Sequence, residues 1–181
     1  MLQIVVPGKE MINEDTYEFI STKETVLRLE HSLVSISKWE SKWKKPFLDN
    51  KTKKTYEESI DYIRCMTLNQ NIDPLIYYNL TADNFKKINE YIDSERTATW
   101  FREDSVKKPN FEIVTSELIY YWMTAHNIPF ECQKWHLSRL LTLIRICNIK
   151  NSSEKKMSKA ATLSRNRSLN AARRKAMHTK G

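Results

Sequence analysis

Apolar residues recur along the chain at two periods, and the change from one to the other predicts its elements. Leu2 to Val6 is a short run rich in valine and isoleucine, closed by Pro7-Gly8, and it predicts a strand. Thr16 to Ile20 and Thr25 to Glu30 predict two more, with Asn13-Glu14-Asp15 as the intervening turn. Together they form a small N-terminal antiparallel sheet. From Ser32 the period becomes helical, with Leu33, Ile36, Trp39 and Trp43 on successive turns until Pro46 stops the run. Thr55 followed by Glu58 is a capping-box signature, and Ile60, Ile63 and Cys65 carry that helix to about Thr67. Asp73-Pro74 opens a short helix through Leu75, Ile76 and Tyr78. Thr81 caps another, with Phe85, Ile88 and Ile92 inward and Lys86, Lys87 and Glu90 outward.

The longest apolar region, Thr115 to Lys150, predicts two helices joined by a turn, and the remainder is expected to pack on this hairpin. Its first helix carries Leu118, Ile119, Trp122 and Met123, with Ser116 as the expected cap and Glu117 in the first turn. Ile128-Pro129 breaks the period. Its second helix carries Leu137, Leu140, Leu141, Ile144 and Cys147 on one face, widened by Leu143 and Ile146, and is expected to be mostly buried. Arg139, Arg145, Lys134 and Pro129 make the region too polar and too interrupted for a membrane span. The fold class that follows is mainly α, with a small N-terminal antiparallel sheet.

Composition alters this picture at three points. The chain has 181 residues, enough for one folded body with an extension. Its only glycines are Gly8 and Gly181, which excludes P-loop, dinucleotide-binding and nucleophile-elbow motifs, all of which need glycine in tight backbone turns. Cys65, Cys132 and Cys147 are odd in number and lie in apolar contexts, so reduced thiols inside a cell are expected; no signal peptide is recognised. Charge is the third point. Residues 152–181 carry Lys155, Lys156, Lys159, Arg165, Arg167, Arg173, Arg174, Lys175 and Lys180 against Glu154, which equals the net +8 of the whole chain. Residues 1–151 are therefore a charge-balanced body, and residues 152–181 a basic arm. The arm has good helix formers but a thin apolar face, and it is expected to order on a partner.

Candidate chemistry is sparse. His126, Cys132, His136 and Cys147 share the central region, but their spacing fits no familiar zinc pattern, and buried thiols with hydrogen-bonded histidines account for them. Cys132 with His136 is the one nucleophile and base pair close in sequence, and nothing orients it. Glu57, Glu58 and Asp61 read as the solvated start of a helix. No catalytic residue, metal or cofactor is therefore assigned, and the chain is not expected to be an enzyme. Trp39 and Trp43, flanked by Lys38, Lys42, Lys44 and Lys45, suit either a base-stacking surface or a core stripe, and the core stripe is favoured. Trp100 and Phe101, within the irregular stretch Ser94 to Thr115, suit an exposed anchor for a partner protein or a lid on the core. The arm could neutralise nucleic-acid phosphates or lie in an acidic protein groove.

Three stretches carry a resemblance: LEHSLVSISKWESKWKKPFL (Leu29 to Leu48), IYYWMTAHNIPFECQKWHLSRLLTLIRICNIKN (Ile119 to Asn151) and LSRNRSLNAARRKAMHTKG (Leu163 to Gly181). Together they resemble small proteins of the tail or virion-assembly module of tailed bacteriophages, which includes tail assembly chaperones and minor structural proteins. The resemblance implies a non-enzymatic role in building the tail, by shielding tape-measure or tail-tube proteins before they polymerise. Residence in the finished virion is the close alternative, and nucleic-acid binding through the arm the one from another class. The host cytoplasm during assembly is the implied location, and no residue is assigned a function by the resemblance.

Overall fold

The computed structural model describes residues 1–12, 19–49, 53–101, 113–153 and 159–177. Four strands open the chain: β1 (Leu2–Val6), β2 (Glu10–Ile12), β3 (Phe19–Ser21) and β4 (Thr25–Leu29). β1 pairs antiparallel with β4, Leu2 opposite Leu29 and Val6 opposite Thr25, while β2 pairs with β3 as a separate ribbon. Side-chain alternation follows from the pleat. Ile4, Val6, Leu27 and Leu29 are buried, and Gln3, Val5, Val26 and Arg28 face outward. The predicted strand at Thr16 to Ile20 is realised over Phe19–Ser21, and residues 13–18 lie outside the described residues.

Gly8 stands where the chain leaves β1. A Cβ there would lie 2.3 Å from the carbonyl oxygen of Thr22, so glycine is required by close backbone approach. Both edges of the β1–β4 ribbon carry asparagine side chains. On the β4 edge, Asn69 accepts from the Arg28 amide at 2.7 Å and donates to the Val26 carbonyl at 3.1 Å. On the β1 edge, Asn84 donates to the Val5 carbonyl at 3.1 Å and Asn79 to the Pro7 carbonyl at 3.4 Å.

The helices are α1 (Leu33–Trp43), α2 (Tyr56–Met66), α3 (Ala82–Asp93), α4 (Ser116–Ala125), α5 (Leu137–Ser153) and α6 (Lys159–Met177), with 3-10 turns at Pro74–Asn79 and Phe130–Lys134. Caps are where the sequence placed them for α2 and α3. Thr55 and Glu58 form the reciprocal box of α2, and Thr81 with Asn84 that of α3. Asp73 caps the first 3-10 turn by accepting from the Leu75 amide. α4 differs from expectation, because its cap is Thr115 and Ser116 is already helical. The reason is Glu40, whose carboxylate takes the Ser116 amide at 2.8 Å and so fixes the helix start one residue earlier.

The expected central hairpin is also corrected. α4 packs chiefly against α1, not against α5, and α1 contacts α2, α4 and the 3-10 turn at Phe130–Lys134. α1 is therefore the element around which the body is built. Leu33, Ile36 and Trp39 are fully buried, and Glu40 is buried at its C-terminal end. α5 is buried at Leu137, Leu140 and Ile144, but Leu141, Leu143, Ile146 and Cys147 are half-buried and Asn148 to Lys150 exposed. It is less buried than its sequence predicts, and its fully buried positions end at Ile144. Spatial grouping accordingly divides the chain into Met1–Ile144 and Arg145–Gly181, before the compositional boundary at 151. No helix among the described residues is long and apolar enough to cross a membrane.

Candidate functional site

The two tryptophans of α1 have different fates. Trp39 is 1% exposed, stands edge-on to Phe47 and donates its indole N–H to the Glu58 carbonyl at 2.9 Å. It has no open face on which a base could stack, so it belongs to the core and not to an aromatic patch. Trp43 is half-buried and donates to Asp61 at 3.0 Å. The lysines beside them are ion-paired, Lys45 with Glu58 at 2.5 Å and Lys42 with Asp61. This overturns the solvated reading of Glu58 and Asp61, which are 2% and 5% exposed. The hydrogen bond from Lys45, followed by that from the Thr55 amide, holds the Glu58 carboxyl below the usual carboxylate range. Burying such carboxylates without these donors would be costly, and the helix starts at Thr55 so as to supply one of them.

The histidines and thiols are occupied in the same structural manner. His136 meets Ser138 Oγ through Nδ1 at 2.8 Å and the Tyr91 carbonyl through Nε2 at 3.1 Å. Both ring nitrogens are thus used away from Cys132, which is buried, while His126 is half-buried. No group of three or more histidine, cysteine, aspartate or glutamate side chains able to hold a metal occurs among the described residues. His31 lies 5.2 Å from His136 between ring centroids, and its Nδ1 is 2.5 Å from the Tyr62 hydroxyl. Burial, reinforced by His136, lowers the His31 imidazole to about 4 and also lowers His136, while burial raises the Tyr62 phenol. Burial likewise pushes the Cys65 thiol up to about 11, which suppresses its thiolate. All three cysteines are unpaired thiols.

A cavity of about 380 Å³ lies among α2, α3 and the α1–α2 connection, lined by Phe47, Ile63, Phe85 and Ile88 with His31 and Lys54. Three of its polar groups have partners: Lys54 donates to the Phe47 carbonyl, Ser59 to the Thr55 carbonyl, and His31 pairs with Tyr62, while Asn89 and Asp93 stand at its exposed rim. Phe85 and Ile92 are half-buried against it, whereas Asn84 and Tyr91, absent from the predicted inward face of α3, are buried by their hydrogen bonds to Val5 and Glu30.

The open surface lies elsewhere. Trp100 is 82% exposed, and Phe101 beside it is half-buried. Residues 102–112, including Lys107, Lys108, Pro109 and Asn110, lie outside the described residues. Sequence reasoning missed a second exposed aromatic group: Tyr121 on α4 and Phe130 on the following 3-10 turn, with Tyr120 stacked at 6.4 Å from Phe130 and bonded to Gln133. The signal was present, since Tyr121 falls on the polar side of α4 with Glu117 and Ala125.

The basic arm is α6. Arg165, Arg167, Arg173, Arg174 and Lys175 are all helical and exposed, as are Leu163, Leu169 and Met177. Lys159 begins the helix, while Lys155 and Lys156 lie outside the described residues. No aspartate or glutamate occurs between Lys159 and Met177. No family model, curated protein or solved structure matches the chain.

Proposed function

We propose that the protein is a non-enzymatic assembly or structural protein of a bacteriophage tail, which binds other tail proteins, the tail tube or the tape measure, during morphogenesis. The phage setting rests on the resemblance of the three quoted stretches. The observation that carries the binding role is the partition of charge: a balanced folded body, and an exposed helix with basic residues and no acid. Exposed aromatics on the body, Trp100, Tyr121 and Phe130, are the side chains that protein interfaces favour. The buried carboxylates, histidines and indoles serve the core, and the reading assigns no turnover to them.

The test is co-purification from nuclease-treated lysate of the tagged chain with tail-tube or tape-measure protein, paired with mass spectrometry of purified particles. Capture that is lost on deleting residues 152–181 supports the reading. Abundance in infected cells with absence from particles then marks a chaperone, and presence in both a structural component. Capture of neither protein, together with absence from particles, overturns it.

A further inference from the structure

We infer that α6 binds duplex DNA, lying along it and held by backbone phosphates. The inference rests on the reading of the arm as the device of attachment, and specifies one thing that it attaches to. At 3.6 residues per turn, the exposed cations Arg165, Arg167, Arg173, Arg174 and Lys175 are spread so that no arc wider than about 100° lacks one. Charge therefore surrounds the helix. A helix seated in an apolar protein groove needs a continuous apolar stripe at i, i+3, i+4 and i+7, and a helix lying on a membrane needs one apolar face. α6 has neither: Leu163, Leu169 and Met177 fall within an arc of about 120° around the axis, and Arg173, Asn166 and Asn170 stand among them in that arc.

A helix charged on every side fits a setting in which negative charge also lies on more than one side. The major groove of B-form DNA is such a setting, about 12 Å wide between two phosphate walls and able to admit a helix of about 10–12 Å. The 19 residues of α6 extend about 28 Å, the rise of roughly eight base pairs. Ala171, Ala172 and Ala176 leave the cylinder slim between the cations. Four of the five cations are arginine, whose planar fork matches phosphate geometry better than an ammonium does. Nothing in this arrangement reads bases, so binding is sequence-independent.

The test is fluorescence anisotropy of a labelled 20-base-pair duplex of random sequence with the full chain, between 50 and 200 mM NaCl. Five phosphate contacts predict a slope of log Kobs on log salt of about −4.5, a roughly 500-fold loss of affinity over that range. Arg173→Gln with Arg174→Gln should bring the slope to about −2.7, while Arg173→Lys with Arg174→Lys should keep it near the original. Circular dichroism verifies that the variants keep their helix. A slope unaffected by the glutamine pair, no binding at 50 mM salt, or equal competition by polyglutamate of matched charge would each overturn the inference. Capture of tail proteins without duplex binding overturns this inference and leaves the assembly reading standing; duplex binding without capture does the reverse.

Discussion

His31 is a neutral imidazole held inside a ring of aromatic and histidine side chains, and that state makes the body sensitive to acid. The folded chain does not protonate it until about pH 4, whereas an unfolded histidine takes a proton near 6.5. Unfolding therefore takes up a proton between those values, so stability is present above about pH 6.5 and is lost as pH falls toward 4. The loss from His31 alone is about 3 kcal/mol, and His136, lowered in the same direction, adds to it. Urea midpoints measured at intervals from pH 7.5 to 4 should fall steeply below 6.5, and His31→Phe should flatten that fall. An equal slope in the variant would show that other groups carry the effect. Residue roles of this kind were only partly legible in the sequence. His136 could be foreseen as hydrogen-bonded, but Glu58 and Asp61 looked solvated because their lysine partners come from elsewhere, Lys42 from α1 and Lys45 from the segment that follows it.

Among the elements, α1 holds the others through one carboxylate. Glu40 accepts the Phe47 amide at 2.7 Å and the Ser116 amide at 2.8 Å, joining the end of α1 to the segment that follows it and to the start of α4. Glu40→Ala leaves two buried N–H groups unpaired, and should cost roughly 2–4 kcal/mol in urea unfolding with faster amide exchange at Ser116. A loss below 0.5 kcal/mol would mean that water replaces the carboxylate. The elements themselves were readable, since strands, caps and helix starts are local: β1, β4, α1, α2 and α3 begin where alternation and serine or threonine caps indicate, and the first 3-10 turn where Asp73-Pro74 does. Their assembly was not. Chain-length and hydrophobicity favoured Thr115 to Lys150 as the centre, but α1 took that place because Trp39 and Glu40 reach partners far away in sequence, Glu58 and Ser116. The exposed Tyr121 and Phe130 escaped notice for the converse reason: an aromatic residue counts as core until the packing of its neighbours is known.

For the whole molecule, the charge partition was legible by counting, and the even distribution of charge around α6 followed once the helix was defined. What composition cannot express is how the N-terminal ribbon ends sideways. A two-stranded ribbon leaves amide and carbonyl rows on both flanks, which another chain can extend into a growing sheet. Here Asn69, beside the backbone of Met66 to Leu68, covers the β4 flank, and Asn84 and Asn79 cover the β1 flank with side-chain amides. Asn69→Ala together with Asn84→Ala should leave far-ultraviolet circular dichroism little changed while light scattering and thioflavin fluorescence rise on standing; scattering equal to wild type would refute the idea. The folded body is thereby kept from being recruited, through its own backbone, into a growing sheet.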